Sequence, residues 1–210
     1  VQDGYYDHDR SEALDLLAKP PSHVLDIGCG RGGVTRNLKA RYPQVRSMGV
    51  DVFTDPAFDY AGTFDRFAQV DLERDPLPEA IDQFDLILLL DVLEHLREPE
   101  RLLHQLVGAA RDGCYFLVSL PNFHYYSNLF AIVRSGRFPY VESGILDRTH
   151  VRFFGFEDAR EMLAKELMIL RSRAFNPFEN TKSRLVGRVF GERYSAFQNI
   201  FLCQKTARVA

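Results

Sequence analysis

The stretch Val24-Leu25-Asp26-Ile27-Gly28-Cys29-Gly30-Arg31-Gly32-Gly33 sets a short apolar run and an acid directly before a cluster of glycines. A strand feeding such a turn brings bare backbone against a ligand and aims the next helix's N-terminus at it, an arrangement suited to a nucleotide cofactor. Acids also close later apolar segments: Asp51 after Gly49-Val50, Asp71 after Gln69-Val70 and Asp91 after Leu86 to Leu90. Histidines able to move a proton stand at His95, His124 and His150, the last with Asp147 three residues before it.

The elements that must position these groups alternate between apolar strands and amphipathic helices, the pattern of a parallel sheet covered on both faces. Strands are expected at His23 to Ile27, ending at Gly49 to Val52, at Arg66 to Val70, Phe84 to Leu90, Cys114 to Ser119, Met168 to Phe175 and Gln198 to Lys205. Phe84 to Leu90 is the most apolar and is expected to be central. Helices are expected at Ser11 to Ala18, Gly33 to Arg41, from Pro99 with Leu102, Leu103, Leu106, Val107 and Ala110 on one face, and at Phe156 to Leu167. Asp55-Pro56 offers an N-cap and a first-turn proline for another short helix. Between Pro121 and about residue 154, aromatics and arginines interleave over a length unusual for a plain connection, which reads as a substrate cap. A basic loop carrying Lys182, Arg184, Arg188 and Arg193 is expected before the last strand.

The chain has 210 residues, 46% hydrophobic, enough for one well-buried core and short for two ordinary domains. The expectation is a single α/β domain over 1–210: an N-terminal lid helix in 1–20, a cofactor core in 21–120, the cap in 121–155 and C-terminal helix and strands in 156–210. The net charge of −3 speaks against a surface built for nonspecific nucleic-acid binding. The longest aliphatic run, Leu86 to Leu90, falls far short of the roughly 20 residues a membrane span needs, and the polar N-terminus does not read as a signal peptide. Three widely spaced cysteines without a C-x-x-C pair fit a reducing, cytoplasmic setting. The histidines and acids show no H-x-x-x-H or H-x-x-E-H spacing, so no metal site is expected, and no G-x-S-x-G elbow supports acyl hydrolysis.

The glycines fit two templates. Gly28, Gly30 and Gly33 give the dinucleotide fingerprint G-x-G-x-x-G, while Asp26, Gly28, Gly30 and Gly32 give the D-x-G-x-G-x-G of S-adenosylmethionine enzymes. Both use an acid after the second strand to hold a ribose diol. Asp71 and Asp91 favour the second, because acceptors spread along the crevice suit an adenine amine, a sulfonium and an α-amino group better than a pyrophosphate.

With Val24 to Gly32, Gly49 to Val52, Gln69-Val70-Asp71-Leu72 and Phe84 to Leu96 in this order, the chain resembles the class I S-adenosylmethionine-dependent methyltransferases. The resemblance implies a Rossmann-like doubly wound seven-stranded sheet with an antiparallel last strand, the cap inserted after the fifth strand. It implies that Gly28 and Gly30, with Cys29 and Gly32 in the same motif, let the backbone approach the cofactor. Asp26 would orient its amino group, Asp51 would hold the ribose beside Val52, Asp71 and Leu72 would meet the adenine, and Asp91 would sit near the methionyl end. Arg10, in the segment Tyr5 to Arg10, would close on the cofactor carboxylate. Asp26 and Asp71 also suit turn capping, Asp91 also suits an N-cap for Val92 to His95, and Arg10 also suits solvated surface.

Pro121-Asn122, Gly136-Arg137-Phe138 and Leu146-Asp147-Arg148-Thr149-His150-Val151-Arg152-Phe153-Phe154 narrow the likeness to a bacterial subgroup associated with surface-polysaccharide and glycosyl-transfer pathways. Methyltransferase-like proteins linked to methionine biosynthesis are related but lack the last block. Methyl transfer to a hydroxyl needs a base. His150 is the first choice, with Asp147 orienting it or sharing the role, and His124 the second; His95 is read as packing or capping. Arg148 and Arg152 suit an anionic substrate but equally suit pairing with Asp147 and Glu142. Asn122 and Tyr126 are read as substrate contacts, while Tyr125, Tyr126, Phe138 and Tyr140 either stack on a sugar ring or close the cap's own core.

The function expected is methylation of a small polar acceptor, a sugar or glycan hydroxyl above all. The rivals are a non-catalytic S-adenosylmethionine-binding partner of a biosynthetic enzyme, a nicotinamide-dependent oxidoreductase, and a methyltransferase of RNA or protein. A homodimer stays open.

Overall fold

A computed structural model describes residues 10–207, and Tyr5 to Asp9 of the expected lid lie outside that range. Seven strands form one sheet in the order β3-β2-β1-β4-β5-β7-β6. β1 (His23–Ile27), β2 (Arg46–Asp51), β3 (Arg66–Gln69), β4 (Leu86–Leu90) and β5 (Tyr115–Pro121) run parallel. β7 (Gln198–Gln204) runs antiparallel to both β5 and β6 (Met168–Phe175), as expected of the final strand. The strand order reverses between β1 and β4, so the crevice beyond their carboxyl ends is where a sheet of this kind takes a ligand.

Alternation along the strands divides the interior into two cores. Leu25, Ile27, Ile87, Leu89, Phe116 and Val118 face α4 (Pro99–Ala109) and α6 (Phe156–Ala164). Val24, Leu86, Leu88, Leu117 and Leu202 face α1 (Ser11–Leu14) and α2 (Gly33–Arg41). All five residues of β4 are buried, which fits its central place.

Three local expectations are corrected. The first helix ends at Leu14, not Ala18, and it buries Ala13 and Leu14 as a fixed part of the second core. Asp55 caps only a turn, accepting the Ala57 N–H, and the short helix α3 (Tyr60–Thr63) starts instead from Asp59, whose side chain accepts from Gly62 N–H. The expected basic loop is helical: α7 (Thr181–Phe190) is followed by α8 (Glu192–Ser195). Asn180 and Ser183 close α7's N-terminus reciprocally, and Leu185, Val186, Val189 and Phe190 recur at helical spacing.

The cap is partly helical as well. α5 (Tyr126–Ser135) ends at Gly136, whose positive φ of 62° is the left-handed geometry that stops a helix. Beneath it Tyr125, Ile145 and Leu146 form a small core with Phe123, Tyr126, Phe153 and Phe197, so these aromatics mainly hold the cap together.

Candidate functional site

The glycine turn follows β1 and lies over the tip of β2. Gly28 N–H and Cys29 N–H both donate to the Val50 carbonyl, at 2.7 and 3.1 Å. Gly28, Gly30 and Gly32 all have positive φ, and a Cβ at Gly28 would stand 2.6 Å from Val92 Cγ2. The backbone here is bare because nothing larger fits.

Asp51 organises this turn. Gly30 N–H donates to Oδ2 and Phe53 N–H to Oδ1, each at 2.8 Å. Each carboxylate oxygen keeps a lone pair, so the acid can still accept from a ribose diol. Val52, beside it, is 60% exposed, an unpaid apolar surface of the kind an adenine ring covers. These features fit an adenosyl group.

Asp26 is buried, and the Thr35 hydroxyl donates to its Oδ2 at 2.6 Å. Burial pushes its pKa up to about 7, opposed by the Thr35 bond and aided by the nearby Asp51 charge. The folded protein therefore keeps a proton on Asp26 that the unfolded chain has already released at mildly acidic pH. Stability is expected to fall as pH rises from about 4 to about 7 and to level off above that. Asp26→Asn preserves an acceptor for Thr35 and cannot ionise. Urea unfolding at pH 4 and pH 8 is expected to show little difference at the lower pH and a gain of about 2–4 kcal/mol at the higher. Parallel pH profiles for the two proteins would contradict the assignment.

Asp71 stands at the tip of β3, half-buried, with Oδ1 accepting Glu73 N–H in a turn and Leu72 packed partly against the core. Its place is one strand along from Asp51, whose carbonyl accepts Val70 N–H. Asp91 ends β4 with a positive φ of 58°. Ser119 Oγ donates to it at 2.8 Å and Gln198 Nε2 at 2.7 and 2.9 Å, while Arg10 forms an ion pair with it. Asp91 is thus not the side-chain cap of the turn after it. Arg10 also donates to Gln198 Oε1 at 2.7 Å, so its fork is held at the end of β4 by these two side chains. Cys29 contributes backbone to the turn, and its thiol, pushed far up by burial, packs under Gly49.

The cap residues separate into those that face a cavity and those that do not. Asn122 is fully buried, donates to the Arg193 and Ala196 carbonyls and accepts His124 N–H, so it fastens the cap to α8 and is no substrate contact. Arg148 is paired with Glu142 at 2.8 Å, and Arg152 donates to the Arg97 carbonyl at 3.0 Å beside Glu100. Of the expected pairings only Arg148 with Glu142 forms among the described residues, while Arg152 turns to Arg97 and Glu100 and neither arginine pairs with Asp147. Asp147 accepts from both Thr149 N–H and Oγ1 at 2.7 Å, which occupies it locally. His150 is oriented instead by the Ile145 carbonyl, 2.9 Å from Nδ1, which leaves its Nε2 with a lone pair. His124 lies against Gly155 and Tyr194.

Two features escaped the sequence reading. Glu94, 1% exposed in the turn Leu93–His95, has its pKa pushed up to about 8 by burial, and it lies with His95 and His150 in one cluster. An acid inside Val92-Leu93-Glu94-His95-Leu96, directly after the most apolar strand, was the available signal. The second is a cavity of about 630 Å³ between α5 and α7, lined by Tyr126, Leu129, Phe130, Val186, Phe190 and Tyr194 with Lys182 at its edge. Of these residues only Tyr126 was read from sequence as a substrate contact, and Lys182 only as part of a basic loop.

No helix among the described residues is long and apolar enough to cross a membrane. The chain is 30% identical over 116 residues to the trans-aconitate 2-methyltransferase of Deinococcus radiodurans, a match covering 53% of this chain and 44% of that protein. It is 27% identical over 116 residues to the ubiquinone biosynthesis O-methyltransferase of Coxiella burnetii, covering 53% of this chain and 48% of that one. The chain spans about half the length or less of these curated relatives. Its fold is similar to that of the N-methyltransferase NodS from Bradyrhizobium japonicum, solved with S-adenosyl-l-homocysteine, at a TM-score of 0.60 and 17% identity over 98% of this chain and 90% of that one. Residues 3–165 match the family described as a methyltransferase domain, and the chain belongs to that family.

Proposed function

We propose that the protein transfers a methyl group from S-adenosylmethionine to a hydroxyl of a small polar acceptor, a sugar or glycan, held between α5 and α7. The observation that carries this is the shared edge: Gln198, which opens β7 beside α8, donates to Asp91 at the tip of β4. Gln198 thereby links the segment after α8 to the strand tip we assign to the methionyl end.

When bound, S-adenosylmethionine supplies an electrophilic sulfonium methyl. The chain's residues then have separable tasks. The turn Gly28 to Gly30 and Asp51 hold the adenosyl end, and Asp91 with Arg10 shapes the methionyl end. Transfer of that methyl would need the chain to hold the acceptor oxygen in line with it, within about 3–3.5 Å. The acceptor's proton would pass to an imidazole lone pair, a role we assign to His150 Nε2, which the Nδ1 contact with the Ile145 carbonyl leaves as an acceptor. The aromatic walls at Tyr126, Phe130, Phe190 and Tyr194 offer flat apolar faces for the C–H side of a sugar ring.

Labelled S-adenosylmethionine offered with a panel of monosaccharides, nucleotide sugars and oligosaccharides, read by mass spectrometry, tests the acceptor class. For an acceptor so found, Phe190→Ala is expected to raise KM about tenfold with kcat within about twofold, since the ring is 65% exposed and contributes binding rather than stability. Labelling confined to protein, RNA or non-hydroxyl metabolites, or an unchanged KM, would overturn this reading.

A further inference from the structure

We propose that Glu94, His95 and His150 form a binding site for a divalent transition metal, zinc by the chemistry of its donors, at the seam between the turn after β4 and the cap. One donor atom from each lies within 4.8 Å of the other two. The rings of His95 and His150 meet edge to face with centroids 4.7 Å apart. Zinc at about 2.1 Å from each ligand holds its donors roughly 3.4 Å apart, so closure on a metal asks for side-chain movement of about 1 Å.

Three independent features argue for a ligand here. Glu94 is almost wholly buried, yet neither of its carboxylate oxygens has a hydrogen-bond partner among the described residues. A buried carboxyl with no hydrogen-bond partner is costly in its charged form, and a bound cation relieves that cost as a proton does. Both imidazoles are also oriented as metal-binding histidines usually are, with Nδ1 against a backbone carbonyl: Ile145 at 2.9 Å for His150 and Thr149 at 3.3 Å for His95. That arrangement leaves both Nε2 atoms as acceptors, and one nitrogen of each ring lies within 4.8 Å of the other and of a Glu94 oxygen. Finally, the frame is fixed by backbone: the Glu94 carbonyl accepts Val151 N–H at 2.9 Å and Arg152 N–H at 3.0 Å, which ties the two ligand-bearing segments together.

Two imidazoles and one carboxylate make a three-ligand set with an open fourth position, and among redox-inert divalent ions it favours zinc over magnesium or calcium, which prefer all-oxygen shells. The inference goes beyond the methyl-transfer reading and does not depend on it. The two roles of His150 exclude one another, because a ligated Nε2 has no lone pair for an acceptor's proton, so the base role belongs to the metal-free chain.

The test uses the whole chain without cofactor or acceptor. Metal-stripped protein is titrated with zinc by calorimetry, and cobalt is added separately as a spectroscopic probe. One zinc per chain is expected, with a cobalt absorption band typical of a low-coordinate nitrogen and oxygen site. His150→Ala and Glu94→Gln are each expected to weaken zinc binding by about 100-fold or more, whereas His104→Ala, on the exposed face of α4, leaves it unchanged. Circular dichroism accompanies each variant, and the wild-type titration stands whether or not a variant folds. No saturable zinc binding by the folded wild type, or equal binding by both ligand variants when folded, would overturn the site while leaving methyl transfer untouched.

Discussion

Asp51→Ala is expected to weaken S-adenosylmethionine binding by about 100-fold or more and to lower stability by about 2 kcal/mol. The two effects have a common source. One carboxylate accepts Gly30 N–H and Phe53 N–H, so it fixes the glycine turn and the tip of β2 at once. Losing it strands the buried Gly30 donor, which costs about 1–3 kcal/mol, and removes the acceptor proposed for the ribose. Asp51→Asn separates the terms, since an amide accepts from only one of its two ends. Its stability is expected to fall between wild type and alanine, with binding still reduced by at least about tenfold. Calorimetric titration with S-adenosylmethionine and with S-adenosylhomocysteine measures the binding, and urea unfolding the stability. Binding within about threefold of wild type in the alanine variant would remove Asp51 from the cofactor site.

The same carboxylate shows why the core of the fold was legible in sequence. His23 to Ile27 and Gly33 to Arg41 have the bounds read from apolar runs and punctuation, because a strand buried on both faces or a helix stopped by Pro43 leaves a local record. The acids at strand tips were legible for a related reason: the parallel register aligns Asp26 with Gly49 and Asp51 with Gln69, so strand ends necessarily share an edge. The cap resisted such reading. Asn122 has the polar character of a ligand contact, but its two donor bonds go to Arg193 and Ala196, far along the chain, and nothing near it in sequence announces them. α7 was hidden by its arginines and lysine, which drew attention to charge and away from the spacing of Leu185, Val186, Val189 and Phe190. Glu94, His95 and His150 show no local ligand spacing, since two segments distant in sequence must fold together before the three groups meet.

Gly28→Ala is expected to be the more severe of the two glycine-turn perturbations. The residue has φ of +67°, where an L side chain costs about 1–2 kcal/mol, and its new Cβ would meet Val92 Cγ2 at 2.6 Å. Val92 is β-branched and buried in the turn after β4, so it has few rotamers in which to yield. Overpacking of this kind adds about 1–3 kcal/mol, and the combined loss of about 2–5 kcal/mol is a large share of the stability of a domain this size. Relief of the clash also displaces the turn proposed to meet the cofactor, so binding is expected to fall with stability. Val92→Ala in the same chain removes the obstructing methyl without touching φ. The double variant is therefore expected to recover the packing part, about 1–2 kcal/mol net of Val92's own lost burial, and to retain the backbone part. Strictly additive losses in the double-mutant cycle, measured by urea unfolding and by S-adenosylmethionine titration, would mean that Gly28 is required for its backbone angle alone and that Val92 is no wall of the site.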